Sequence, residues 1–379
     1  MEKNSCNIAI DGISKNFTDE YFNFLNKDVL RSIDFFKSKG KFLVCKNIKK
    51  QLLPAYISQY KYLQAVISNK SKTVAVQRLG DMHNGGKCTL LVTIDKDKFI
   101  YKPVSVDLLE VLNSVLRVLN TDGFFDFYLL KIVNSSDNLS EIEFINDEKC
   151  FDIIRFSYHY GALITVIILL RGVDFHKENL FCVNSTPVVV DCESLFYPEL
   201  KNIKSYDIYA TSMLPTELNT KSVMSHFNLS VDKMIDGVKL CCALIKSNVA
   251  AIKDLILLGN NNRKRLIFKP TRFYYEVLRA SLHPEFLLDY GKRAKYVKEC
   301  LNGWHRISRF ILESEYFDLM NFDIPYFTYY EDELFNSKFK KIPQDFCANG
   351  LNEIYLNLDK IESFQEEIVR RLREYEQRA

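Results

Sequence analysis

The sequence predicts an α+β fold in two lobes, a small β-containing one followed by a large and mainly helical one. Three observations carry that expectation. Thr89 to Ile94 and Phe99 to Lys102 are short β-type runs on either side of a polar Asp95-Lys-Asp-Lys98 turn, the pattern of a hairpin. Leu109, Leu112, Leu116 and Leu119 then recur at helical spacing, so a helix over Val106 to Leu119 follows the second strand. From Asp152 onward the pattern is helical over long stretches, interrupted by the β-branched run Pro187-Val-Val-Val-Asp191.

In chain order, residues 1–75 show mixed helical periodicity with aromatics at Phe22, Phe24, Phe35 and Phe36, and are expected as a helical N-terminal segment. Residues 76–379 form the catalytic unit, divided into an N-lobe at about 76–150 and a C-lobe at about 151–379. Gly80-Asp81-Met-His83-Asn-Gly85-Gly86-Lys87 lies directly before the hairpin as a glycine-rich loop. A Gly259-Asn-Asn-Asn262 loop precedes Arg265-Leu-Ile-Phe-Lys269-Pro-Thr271, and a loop around Asn321-Phe-Asp323-Ile-Pro325 separates two further helical stretches. Leu351, Ile354, Leu358, Ile361, Phe364 and Ile368 mark a charged amphipathic helix at the end of the chain.

With 379 residues, 47% of them hydrophobic and 13% aromatic, the chain has apolar mass for one large core or two moderate ones, and general disorder is excluded. A net charge of +3 is too weak to make nucleic acid or an anionic membrane the main partner. The ten cysteines include Cys241 and Cys242 but no C-x-x-C pair and no zinc-finger spacing. They are expected as small core residues of a reduced, cytoplasmic protein. Met1-Glu2-Lys3-Asn4-Ser5 opens no apolar signal region. The longest apolar run, Ala162 to Leu170, falls short of the ~20 residues a membrane span needs and reads as a buried helix.

The chemistry-bearing residues begin with Asp174-Phe-His176-Lys-Glu-Asn179, in a polar loop just past that helix. An acid, an amide soon after it and a second acid, Asp191, at the end of a strand make the acidic half of a kinase-type phosphoryl-transfer site. Asp174 is placed to accept a proton from a substrate hydroxyl, and Asn179 and Asp191 are placed to share a metal ion. His176 orients Asp174, contacts phosphate or is a structural loop residue, and Glu193 is either a further metal ligand or a solvent-facing acid. The glycines around Asp81 and His83 either let backbone amides approach a phosphate or form a tight turn. Lys102, at the end of a strand and before a helix, is placed to meet nucleotide phosphates, with Glu110 or Asp107 as its partner. Arg265 and Thr271, reinforced by Lys269 and Arg272, form a basic and hydroxyl cluster that reads either as a charged rim or as a wall for a phosphorylated intermediate.

Taken together in order, these segments resemble the dehydratase domain of class II lanthipeptide synthetases. Gly80-Asp81-Met-His83-Asn-Gly-Gly, Tyr101-Lys102-Pro103, Asp174-Phe-His176-Lys-Glu178-Asn179-Leu and Pro187-Val-Val-Val-Asp191-Cys-Glu193-Ser-Leu carry the resemblance. Met213-Leu-Pro215, Lys269-Pro270-Thr271-Arg-Phe-Tyr274, Ser281-Leu-His283-Pro284, Asp323-Ile-Pro325-Tyr-Phe327 and Gln365-Glu-Glu-Ile368 extend it over about residues 75–375. The resemblance implies a lipid-kinase-like fold that uses ATP and Mg²⁺ to phosphorylate Ser or Thr of a ribosomal precursor peptide. It then implies elimination of phosphate to dehydroalanine or dehydrobutyrine.

Carried over by motif, Asp174, His176 and Lys102 are catalytic, Asn179, Asp191 and Glu193 hold metal, and Lys102, Asp81 and His83 serve the nucleotide, with Glu110 expected beside them from its place in the following helix. Arg265 and Thr271 serve elimination, where a cation on the leaving phosphate and a base at the α-carbon proton are needed. The sequence departs from the family at Lys269, where Arg is usual, and in the short segment before Gly80. No zinc-ligand set of a cyclase is visible either, so a standalone dehydratase is expected, with ring closure or export left to a separate cyclase or transporter. A peptide kinase that stops at the phosphorylated product is the alternative, and a non-catalytic pseudo-kinase is the third reading.

Overall fold

The computed structural model describes residues 57–58, 61–66, 74–200, 206–214, 224, 227–303, 308–343 and 347–377. Most of the expected helical segment at 1–75 lies outside these; within it, 61–66 are helical and bury Tyr62, Leu63 and Val66. Strand and helix are both abundant, as an α+β fold requires.

A five-stranded antiparallel sheet comes first, made of β1 (Val74–His83), β2 (Lys87–Ile94), β3 (Asp97–Lys102), β4 (Ile132–Asn134) and β5 (Ser140–Glu143) in the order β1-β2-β3-β5-β4. Alternation in β2 turns Cys88, Leu90 and Val92 to one face, where each is at most 1% exposed. The expected hairpin is β2–β3, tightened to Ile94↔Asp97 across Asp95-Lys96. The glycine-rich loop is instead the bulged end of β1 and its turn: His83 pairs with Lys87, and the register shifts after Leu79. Gly80, Gly85 and Gly86 all have positive φ there, which glycine adopts without steric cost.

Helix α1 (Asp107–Asn120) follows β3 and buries the leucines that the periodicity marks. Helix α2 (Ile153–Leu169) starts at Asp152, whose carboxylate accepts from Arg155 N at 2.8 Å. Ala162 to Leu170 are each at most 2% exposed, so the C-terminal half of this helix is apolar all round because it is buried all round. It crosses α3 (Val231–Ser247) very closely: a Cβ on Gly161 would meet Met234 O at 2.0 Å, and one on Gly237 would meet Tyr158 O at 2.0 Å. Among the described residues no helix is long and apolar enough to cross a membrane.

The hairpin β6 (Leu180–Val183) and β7 (Thr186–Val189) comes after α2, and β8 (Glu199–Leu200) follows it. The remaining helices are α4 (Val249–Asn260), α5 (Thr271–Ser281), α6 (Pro284–Leu287), α7 (Tyr290–Asn302), α8 (Arg309–Met320), α9 (Leu351–Asp359) and α10 (Ile361–Glu376). The amphipathic end is thus two helices that keep one apolar stripe across Lys360.

A four-stranded antiparallel sheet stands among these helices, a feature the helical reading leaves out. Its strands are β9 (Lys264–Leu266), β10 (Phe327–Tyr330), β11 (Glu333–Phe335) and β12 (Lys341–Ile342), in the order β12-β11-β10-β9. The Asn321–Pro325 loop therefore leads from α8 into a hairpin, not into another helix. These strands are two to four residues long, which leaves too little alternation for a sequence pattern to show.

Candidate active site

A cleft of about 1300 Å³ is lined by the tip of β1, the end of β3, the loops around β6 and β7, β9 and the start of α5. It brings together most of the residues singled out above: Asp81, His83, Lys102, Asp174, His176, Asn179, Asp191, Glu193, Arg265 and Thr271 all line it.

Its floor is the end of β7. Lys102 Nζ reaches Asp191 Oδ1 at 3.0 Å, with the lysine side chain 7% exposed and the carboxylate 29%. Burial disfavours both charges, but each partner outweighs it for the other. Beside Lys102 and Arg265, the Asp191 carboxyl is held below its usual range. Beside Asp191 and Glu193, the Lys102 ammonium is held above its own. Glu193 moves the opposite way, since burial and then the Asp191 charge push its carboxyl up against the pull of Lys102 and Arg265. Two acids of opposite shift thus sit two residues apart, and the Glu193 N–H donates toward Asp191 Oδ1 at 3.5 Å.

The loop above β6 holds Asp174 in the left-handed region at φ 69°, a conformation uncommon for a non-glycine residue. Its backbone is tied on both sides: Asp174 N donates to Ala210 O at 3.2 Å, and Asn179 Nδ2 donates to Asp174 O at 2.8 Å. Donating through nitrogen leaves the Asn179 carbonyl oxygen as the atom it offers a cation. His176 Nδ1 accepts from Glu178 N at 3.2 Å, so its Nε2–H is the edge facing Asp174 Oδ1, 3.7 Å away. The hydrogen bond that His176 makes is the local one to Glu178 N, and the distance to Asp174 is beyond hydrogen-bond length.

Arg265 enters from β9, whose backbone is bonded to the floor through Arg265 N donating to Glu193 O at 2.7 Å. Its guanidinium lies 3.8 Å from Glu193 Oε2 and 3.4 Å from His83 Nε2. Because guanidinium only donates, Nε2 is the acceptor and His83 Nδ1–H donates to Ile324 O at 3.2 Å. Burial, followed by the Arg265 charge, pushes the His83 imidazole down to about 3, so it stays neutral. Thr271 opens α5 on the cleft wall, at a helix N-terminus whose free N–H groups suit an anion. Asp81 sits exposed on the rim.

Two expectations need correction, and one open reading is decided in favour of the tight turn. Glu110 is not the partner of Lys102: it lies on the outer face of α1 with Arg117 at 4.0 Å, and Asp107 accepts from Ser135. Both acids are on the face opposite the leucines, so neither reaches the end of β3. Lys269 is not part of a phosphate wall but a fully buried ion pair with Glu315, whose carboxylate also accepts from Tyr274. The Gly85 and Gly86 amides do not face the cleft as an anion cradle; both donate to the Asp323 carboxylate, at 2.6 and 3.1 Å.

Tyr326 is the site residue that sequence reasoning leaves without a role. Its hydroxyl donates to Glu193 Oε2 at 3.0 Å and its ring lies against both Arg265 and His83. The signal available was its place in Asp323-Ile-Pro325-Tyr-Phe327, which marks position in a motif but no chemistry.

Among the described residues no three His, Cys, Asp or Glu side chains converge as a metal cage. Mg²⁺ does not ask for one: it is held through one or two carboxylates together with substrate phosphate oxygens. Asp191, Glu193 and the Asn179 carbonyl are hard oxygen donors on one cleft floor and fit that requirement.

A family model described as a domain of unknown function, DUF4135, matches residues 45–233 and 220–330. The chain is also 24% identical over 272 residues to the Lacticin 481/lactococcin biosynthesis protein LcnDR2 of Lactococcus lactis subsp. lactis. That alignment covers 60% of this chain and 28% of the relative, so the chain spans well under two thirds of the relative's length.

Proposed function

The chain belongs to the DUF4135 family, and from that membership together with the cleft geometry we propose that it is a lanthipeptide-type dehydratase with a lipid-kinase-like two-lobed core. It phosphorylates Ser or Thr of a ribosomal precursor peptide and then expels the phosphate. The similarity to a lacticin biosynthesis protein supports the pathway. The observation that carries the chemistry is the pair of cations, Lys102 and Arg265, placed against the same Asp191 and Glu193 within reach of Asp174.

In the first step Asp174, with His176 3.7 Å from its carboxylate, takes the proton of the substrate hydroxyl as its oxygen attacks the γ-phosphorus and ADP departs. Lys102 meets the nucleotide phosphates, and Asn179, Asp191 and Glu193 are the residues that would hold Mg²⁺. When bound, the ion neutralises charge on the phosphoryl group being transferred. The apolar end of the cleft, with Ile100, Leu130, Ile142 and Ile145, suits a flat base. In the second step the Cα proton passes to a carboxylate of the cleft, the Cβ–O bond breaks with its electron pair going to phosphate, and a Cα=Cβ bond forms. Arg265 stabilises the departing phosphate, with Thr271 and the α5 N-terminus beside it.

A peptide kinase that stops at the phosphorylated product is the second reading, because Arg265 is engaged by Glu193 and His83 rather than aimed freely into the cleft. Variants separate the two. Asp174→Asn should abolish every modification, whereas Arg265→Ala should leave phosphopeptide behind when peptide, ATP and Mg²⁺ are incubated and analysed by mass spectrometry. Normal dehydration by Arg265→Ala would remove Arg265 from the elimination step.

A further inference from the structure

We infer that Tyr326 is a positioning residue with two separable tasks, its hydroxyl setting Glu193 and its ring setting the Arg265 guanidinium and His83. The inference rests on the dehydratase reading for what those groups then do, but its geometry stands independently. Tyr326 is 6% exposed, so its phenol is out of bulk water and its contacts are not exchanged for solvent. The hydroxyl donates to Glu193 Oε2 at 3.0 Å. Since a phenol donates one hydrogen bond, this fixes one oxygen of a carboxylate whose neighbours Asp191, Lys102 and Arg265 pull on its charge in opposite directions. The ring face carries the second task. The Arg265 guanidinium carbon lies 5.2 Å from the ring centroid and the His83 ring 5.4 Å from it, tilted by 55°.

The backbone around Tyr326 holds it for both tasks. Asp323 accepts from the Gly85 and Gly86 amides, Ile324 O accepts from His83, and Phe327 pairs with Leu266 next to Arg265 in the β9–β10 ladder. The contacts of Asp323, Ile324 and Phe327 therefore lock the β1 turn and β9 to one short segment, and Tyr326 is the member whose side chain meets both. A tyrosine meets both demands with one side chain, because its apolar ring and polar tip are at fixed separation.

The two tasks predict different defects. Tyr326→Phe keeps the ring and removes the hydroxyl, so phosphorylation of a synthetic Ser/Thr peptide should fall by about 10-fold or more, as for loss of a hydrogen bond to a charged group. Tyr326→Leu removes the ring as well, so elimination from a synthetic phosphoserine peptide should fall at least about 5-fold further than in Tyr326→Phe, the scale of a desolvated cation–π contact. The phosphopeptide-to-dehydropeptide ratio should therefore not exceed wild type in Tyr326→Phe and should be raised in Tyr326→Leu. Tyr326→Met, which keeps volume without a π face, replaces Leu if that variant does not fold.

A second readout needs no turnover. Arg265, now covered by the ring, should react with phenylglyoxal several-fold faster in Tyr326→Leu than in Tyr326→Phe, with peptide mapping locating the adduct. Equal Arg265 reactivity in the two variants, or an active wild type whose ratio neither variant changes, overturns the inference and leaves the dehydratase reading intact. A wild type that modifies neither peptide, with Arg265 uncovered as predicted in Tyr326→Leu, overturns that reading and leaves the positioning geometry standing.

Discussion

Replacing Lys269 by Met would leave Glu315 with no cation inside the protein. Both side chains of the pair are 0% exposed, so neither charge has access to water. Burial pulls the Lys269 ammonium down and pushes the Glu315 carboxyl up, even with the partner present. Removing one member of a buried pair typically costs ~3–5 kcal/mol, because the remaining charge is uncompensated. The pH dependence follows from the direction of the Glu315 shift. A carboxyl whose folded-state pKa lies above its unfolded value favours the folded state at low pH, and that contribution is lost as pH rises through the folded value. The Lys269→Met deficit should therefore be larger at about pH 8 than at about pH 5, where Glu315 can protonate.

Urea midpoints at both pH values measure this, with circular dichroism as the probe. Lys269→Met/Glu315→Gln should recover most of the loss and flatten the pH dependence, since Gln still accepts from Tyr274. A Lys269→Met cost below ~1 kcal/mol, or an equal cost at both pH values, would refute the reasoning. Loss of activity with an unchanged urea midpoint would return Lys269 to the phosphate-binding role that its sequence neighbourhood suggests.

Gly161→Ala should destabilise by about 3 kcal/mol or more, since the new Cβ would sit 2.0 Å from a backbone carbonyl at the α2–α3 crossing; a loss below ~1 kcal/mol in urea unfolding would mean the crossing opens cheaply. Asp318 is pushed up to about 7 by burial and then by Asp323, which itself stands at about 6. Moving that carboxyl from 3.8 to about 7 corresponds to at most ~4 kcal/mol of penalty once it is ionised. Its stabilising contribution is present at low pH and lost as pH rises through about 7. Asp318→Asn should therefore be more stable than wild type above that pH and gain little at about pH 5, and parallel stability profiles would contradict the assignment.

What the sequence reveals here depends on how local the physics is. The β2–β3 hairpin, α1, α2 and the β7 run are written in period, turn residues and a capping Asp152, so they are legible within a short window. Asp174, Asn179 and Asp191 are legible for a similar reason, as their spacing places them around one loop and one strand end. The Lys102 partner is not, because Asp191 is distant in the chain and a nearby helical acid is the more obvious candidate. Lys269 and the Gly85-Gly86 turn fail in the same way. Each looks like an anion site until Glu315 or Asp323, both remote in sequence, supplies the anion from within. Tyr326 is the clearest case, since all three of its site contacts are long-range and nothing about an isolated tyrosine announces them.

The central claim is that phosphate is installed in this cleft only to be expelled from it, and one measurement bears on it most directly. A Ser- and Thr-containing precursor peptide is incubated with the full chain, ATP and Mg²⁺, and peptide mass, ADP and inorganic phosphate are followed together. The account predicts loss of one water per modified residue, with ADP and phosphate released in equal amounts and phosphopeptide only as a transient. A phosphopeptide that persists as the final product, or a peptide unchanged in mass, would contradict it.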